Sequence, residues 1–216
     1  MSSTNTNPYS ALKGRFLAIQ ARRDLPGQEW ANAFVYLADR YREPWRHYHT
    51  LEHIAYCLSV FDRFKHLAHH PDPLELAIYY HDAVYDIGVP ARQNEERSAE
   101  LARITLVALG LGNGEANIVK QMVLATTHDH VPGASDDKLI VDIDLAGLGA
   151  PWPVFLQNNR NVREEYRSVP EDKFREGNGK ILGQFLERRP LFYHPYIEAE
   201  LGDQARDNLH RWLSRP

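Results

Sequence analysis

Three histidines, His47, His49 and His53, fall within the stretch RHYHTLEHIAYCL (46–58). His49 and His53 are four apart, so a helix beginning here sets both imidazoles on one face. That spacing serves metal sites in which one helix offers two nitrogens, and it equally suits two ordinary polar residues at a helix start. His47 points elsewhere and reads as solvated or phosphate-touching. A second stretch, AIYYHDAVYD (77–86), sets His81 and Asp82 among Ile78, Tyr79, Tyr80, Ala83 and Val84. An unpaired carboxylate there costs several kcal/mol, or it neutralises. A cation shared by imidazole and carboxylate removes that cost; an arginine from another helix is the competing partner. LIVDIDLAGLG (139–149) repeats the anomaly with Asp142 and Asp144.

Weaker candidates follow the same chemistry. ATTHDH (125–130) brings His128, Asp129 and His130 where a helix runs out, and QNEERSAEL (93–101) opens with Asn94, Glu95 and Glu96. A helix C-terminus favours imidazolium, and first-turn capping favours carboxylates, without any metal. Cys57 reads as a small core residue rather than a ligand. Four separated segments that carry nitrogen and oxygen donors into apolar ground argue together for one divalent transition metal or magnesium.

The elements that must position these groups read as helices. Trp30, Phe34, Leu37 and Tyr41 recur on one face after Pro26, and Ile54, Leu58 and Phe61 recur after Thr50, an N-cap candidate. Pro73 opens the His-Asp helix, Asn94 and Ser135 are cap candidates for two more, and further helices are expected up to Tyr166, at about 170–188 and at 197–214. KLIVDIDL alternates briefly, as a strand would, but its Ser-Asp-Asp start favours helix. The expectation is an all-α protein of roughly nine helices. Residues 1–8 are expected to be disordered, and 9–216 to form a single domain with a metal core over about 45–150.

Composition bounds the rest. The chain has 216 residues, 43% hydrophobic and 25% charged, with a formal net charge of −4 and no basic block, which disfavours non-specific nucleic-acid binding. One cysteine allows no internal disulfide. No apolar run approaches the roughly 18 residues of a membrane span, and the start lacks an apolar signal region, so a cytoplasmic location is expected. RPLFYHPYI (189–197) is aromatic enough to cover a pocket mouth or a homodimer interface.

The order His…His-Asp…Asp resembles the HD superfamily of metal-dependent phosphohydrolases. YREPWRHYHTLEHI, YYHDAVYD, NEERSA, ATTH and DIDLAGLG look like a bacterial subfamily described only as predicted HD phosphohydrolases, and VREEYRSVP (162–170) and ARDNLHRWL (205–213) fit it as well. The resemblance implies a five-helix core with flanking helices and a metal held by His53, His81, Asp82 and Asp144. Asp142 stands beside that set, as a partner of a ligand or an alternative to Asp144. YHTLEH also resembles the YHNxxH motif of cyclic-nucleotide phosphodiesterases, which implies His49 as general acid; Thr50 replaces the asparagine.

The implied chemistry is hydrolysis of a phosphoester or phosphoanhydride, with a nucleotide or other small phosphorylated molecule as substrate. Asp82 would bridge metals or orient water. Glu95 and His128 would complete a second metal site or position substrate, and Arg46 and Arg163 would contact phosphate. The ion would be manganese, cobalt, nickel, iron, zinc or magnesium, with one tight site and room for a second. The rival readings are a di-iron oxygenase on the same fold and a non-catalytic, metal-dependent nucleotide sensor.

Overall fold

Prolines and short polar loops cut the chain into helices whose inward faces are set by the apolar periodicity. The computed structural model describes residues 8–90 and 92–215, and every regular element among them is helical. The helices are α1 (Tyr9–Arg22), α2 (Gly27–Arg40), α3 (Leu51–Phe64), α4 (Pro71–Tyr80), α5 (Gln93–Ala108), α6 (Asn113–Ala125), α7 (Ser135–Leu145), α8 (Trp152–Glu165), α9 (Glu171–Glu187) and α10 (Pro195–Leu213), with 3-10 turns at Lys65–Leu67 and Ala146–Gly149. The ten exceed the expected nine by α1, which turns Leu12, Phe16 and Ile19 inward. KLIVDIDL is helical, as its polar start implied. The expected frayed start lies almost wholly outside the described residues. No single described helix is long and apolar enough to cross a membrane.

Helices α3 to α7 pack on one another: α4 touches α3, α5, α6 and α7, α5 lies along α6, and α7 closes back on α3. On one side α1 and α2 pair, and Phe16, Trp30, Phe34 and Tyr79 form an aromatic cluster with ring centroids 5.1–6.3 Å apart. The polar ends of these rings are satisfied, Trp30 Nε1 by the Leu109 carbonyl at 3.1 Å and Tyr79 Oη by that of Leu12 at 2.9 Å. On the other side α10 packs against α9 and against the turn that follows α7.

Three sequence expectations are corrected here. His81 and Asp82 are not inside a helix: α4 ends at Tyr80, His81 is its C-cap, and Asp82 lies in the turn beyond. Ending the helix frees Asp82 from the helical screw and lets it turn beside His81. Thr50 is the N-cap of α3 but makes no side-chain cap bond, Asn94 and Ser135 lie inside α5 and α7, and Asn94 instead clasps Asp86, accepting from its N–H at 3.1 Å and donating to its carbonyl at 3.0 Å.

The third correction is Asp142. Its carboxylate accepts the backbone N–H groups of Tyr193 and His194, at 2.8 and 2.7 Å, so it holds the entry to α10 and is no partner of the metal-type cluster. The stretch 189–197 is largely taken up by this anchor and by the core, where Leu191 and Phe192 are fully buried.

The turn after α7 leaves no slack. A Cβ on Gly149 would lie 2.8 Å from Leu201 Cβ and 2.9 Å from the Leu201 carbonyl oxygen, backbone that cannot step aside. Gly149→Ala is expected to destabilise the protein by about 1–3 kcal/mol. Gly183, in α9, has nothing within 4 Å of its Cβ position, so Gly183→Ala should be neutral or stabilising by up to ~1 kcal/mol. Thermal unfolding of the two variants beside the parent separates them, at about 2–4 °C per kcal/mol.

Candidate metal centre

The end of α4 brings His81 and Asp82 to one point, α3 brings His53 from its first turn, and α7 brings Asp144 from its last. His53 Nε2 and His81 Nε2 are 3.2 Å apart. Asp82 Oδ2 lies 3.0 Å from His81 Nε2 and 3.6 Å from His53 Nε2, and Asp144 Oδ1 lies 3.5 and 3.4 Å from the same two atoms. Bonds of about 2.1 Å to a central ion would set neighbouring donors about 3.0–3.4 Å apart. The two imidazoles are 2% exposed and the two carboxylates 16–17%. Cys57 Sγ is 3.6 Å from His53 Nε2, and the donors of His53, Cys57, His81 and Asp144 all lie within 4.8 Å of one another. This buried group could hold a metal ion.

The chemistry of the donors fits an ion. His81 Nδ1 lies 2.8 Å from the Ile78 carbonyl oxygen, which can only accept, so Nδ1 carries a proton and the neutral ring turns the Nε2 lone pair to the cluster. Without an ion the carboxylates fall back on the imidazoles. Burial works to raise the Asp144 carboxyl, but His128, His53 and His81 outweigh it and hold it well below the usual range. His81 moves the other way: burial alone would lower it, and the charge of Asp82 drives it well above an ordinary imidazole. Burial pushes the Cys57 thiol well up, and the charges of Asp144 and Asp82 add to this.

Around this point the scaffold fixes His49. Its ring stacks on Tyr85 with centroids 3.9 Å apart, and its Nδ1 lies 2.7 Å from Glu165 Oε2. Glu165, fully buried at the end of α8, also accepts the backbone N–H groups of His47, Tyr48 and His49 at 2.8–2.9 Å. Burial works against its charge, and the bond from His49 and the backbone donors still hold its carboxyl below the usual range. An ionised Glu165 keeps the proton on His49 Nδ1 and leaves Nε2 as the working nitrogen. Burial lowers the His49 imidazole, and the charges of Asp82 and Glu165 reverse this, raising it above an ordinary histidine. Glu165 was not among the sequence candidates; the one signal is its place on the α8 stripe with Asn158 and Val162, seven and three residues back.

The other candidates fall into place individually. His128, at a left-handed φ of 57°, sets Nε2 2.9 Å from Asp144 Oδ2, so it steadies that carboxylate. Glu95, in the first turn of α5, makes no hydrogen bond to the cluster among the described residues; burial pushes its carboxyl up, and the charge of Asp82 adds to this. Arg46 does not face a substrate. Its side chain is fully buried and donates to the carbonyls of Asp82 (2.7 Å), His49 and Ala83 (both 3.2 Å) and to Glu43 (3.0 Å). It clamps the turn bearing Asp82 to the segment bearing His49. Arg163 is likewise engaged, by Glu171 at 2.7 Å and by the carbonyls of Tyr166 and Val169 at 2.6 and 3.1 Å.

Glu165→Gln should cost about 1–3 kcal/mol at pH 7, because it removes the charge that gathers four donors. A carboxyl whose folded pKa is depressed stabilises above its unfolded pKa, and that stability is lost as pH falls through the folded value. The gap between parent and variant, read by thermal unfolding, should therefore be full at pH 7 and close below about pH 4.3. A gap that is constant with pH would mean that Glu165 is not ionised. Comparison with known proteins adds no neighbour: no protein-family model, no curated protein and no solved structure matches this chain.

Proposed function

We propose that this chain is a metal-dependent phosphohydrolase with one tight divalent site held by His53, His81, Asp82 and Asp144. The observation that carries the reading is the convergence of two imidazole nitrogens, 3.2 Å apart, with two carboxylates that each lie 3.0–3.6 Å from both of them. Two carboxylates and two neutral imidazoles together neutralise a divalent cation, so the loaded site carries no net buried charge. Asp82 is preferred to Cys57 in the set because its carboxylate lies 3.0 Å from one imidazole nitrogen and 3.6 Å from the other. Such donors suit manganese, cobalt, nickel, iron, zinc or magnesium.

Bound there, the ion would polarise a phosphoryl oxygen and lower the pKa of its water. The remaining work falls to the chain. Asp144 lines a cleft of about 430 Å³ together with Tyr48, His49 and Tyr85, so a phosphoryl group can reach the centre from solvent. His49, held at Nδ1 by Glu165, presents its other nitrogen as the proton donor to a leaving oxygen. Tyr85, stacked on that ring, limits its rotation. Because His128 is already bonded to Asp144, a second metal would be the weaker one. A di-iron oxygenase would need more imidazole at that second position. The likeness to HD phosphohydrolases supports the same assignment of His53, His81, Asp82 and Asp144.

Metal analysis of purified protein, followed by phosphate release from a substrate panel with added manganese, cobalt, nickel or magnesium, tests the reading. Asp82→Ala and Asp144→Ala should lose the metal and weaken folding. His49→Ala should keep the metal stoichiometry of the parent and lose about 10²–10⁴-fold in kcat. Parental turnover by His49→Ala would remove the acid from this scheme, and metal-free protein that binds none of manganese, cobalt, nickel, iron, zinc or magnesium would remove the scheme itself.

A further inference from the structure

The cleft above the centre has walls that do not match a polyphosphate. One wall is built from Phe155, Phe174, Ile181, Leu182 and Phe185, contributed by α8 and α9. Tyr85 and Tyr166 close the near side, their hydroxyls 3.3 Å apart. Among the lining residues Lys173 is the one lysine or arginine, and its Nζ is already 3.3 Å from Glu176. Asn158 and Asn178 line the same space and bring side-chain amides with no hydrogen-bond partner among the described residues. Arg46, the cation nearest the centre in sequence, is buried and committed to backbone.

A basic cleft does exist next door, lined by Arg160, Arg163, Arg175 and Arg215, but Asn159, Phe174 and Asn178 stand between the two. Arg163 is held by Glu171, and Arg215 lies over Trp152 and Trp212, each ring 4.9 Å away.

We infer that the catalytic cleft selects a phosphomonoester carrying one phosphoryl group on an uncharged, ring-bearing body with a polar edge, of which a nucleoside monophosphate is the type. This rests on the phosphohydrolase reading for its chemistry but not for its binding. The charge count favours it. Two carboxylates already neutralise a divalent ion, and Lys173, shared with Glu176, is the one lysine or arginine among the lining residues left to meet a phosphate dianion. A triphosphate would bring about two further charges, and the cleft's own lining adds no second lysine or arginine to pair them. The aromatic wall stacks a ring, and the free amides of Asn158 and Asn178 can read its edge without asking for charge.

The test is calorimetric binding to the metal-loaded full chain, with free metal held constant, alongside phosphate release. The probes are a nucleoside monophosphate, the diphosphate and triphosphate of the same nucleoside, and glycerol phosphate. The monophosphate should bind at least tenfold more tightly than the triphosphate and than glycerol phosphate. Phe174→Ala should narrow the gap between monophosphate and glycerol phosphate. So should Ile181→Glu, which changes a 53% exposed side chain that the fold does not need. A triphosphate or glycerol phosphate bound as tightly as the monophosphate overturns the inference. The two readings fail separately: the binding preference without turnover of any probe leaves the cleft assignment and removes the hydrolase, whereas turnover without preference does the reverse.

Discussion

Two carboxylates, Asp82 and Asp144, are held against two almost fully buried imidazoles, and the surrounding architecture answers to that arrangement. Left alone, such charges in apolar ground are too costly to keep. Two forms of compensation are open to them: a proton on His81, or, in the proposed function, a divalent ion shared by all four groups. An ion bound at the cluster would compete with a proton for His81 Nε2. Either way the cluster is paired, so α3, α4 and α7 can meet at a polar point without opening the core around it.

Buried carboxyl groups are used a second way, to finish helices from a distance. Asp136 accepts the N–H groups of His69 and His70 ahead of α4, Asp142 those of Tyr193 and His194 ahead of α10, and Glu165 those of His47, Tyr48 and His49 ahead of α3. None of these three helices has a cap bond from its own N-cap side chain. The carboxylate comes instead from a neighbouring helix, where it also meets the positive end of the dipole. At the centre this becomes a matched pair. Glu165 takes the N–H of His49 while Arg46 takes its carbonyl, so the segment that carries His49 is gripped from both sides by opposite charges.

The helical class and its apolar faces were legible because they repeat: Trp30, Phe34, Leu37 and Tyr41 are all buried, as their spacing implied. The meeting of His53, His81, Asp82 and Asp144 was legible because each was an ionisable residue where a core residue belonged. Helix geometry alone could have parted Asp142 from Asp144, since residues two apart point about 200° away from each other. What was not legible depends on contacts far apart in the chain. Arg46 looks like a free cation beside three histidines, and only the turn after α4 shows it to be a clamp. Glu165 looks like its neighbour Glu164, which is exposed; the segment 47–49, over a hundred residues earlier, is what makes the difference.

The same distances separate the reacting part from the recognising part. The donors of the centre come from α3, α7 and the turn that ends α4, and they are braced by Arg46 and His128. The apolar wall of the cleft comes from α8 and α9, with Glu165 the one residue of α8 that reaches His49. Among the residues of that wall, Ile181 is exposed and Phe174 is only partly buried, so neither carries the core. Changes on the inner face of α9 can therefore alter which body the cleft accepts while the buried charges stay paired. Under the proposed function, such a scaffold would keep one reaction while exchanging its substrate, because the donors of the centre and the apolar wall of the cleft lie on different helices.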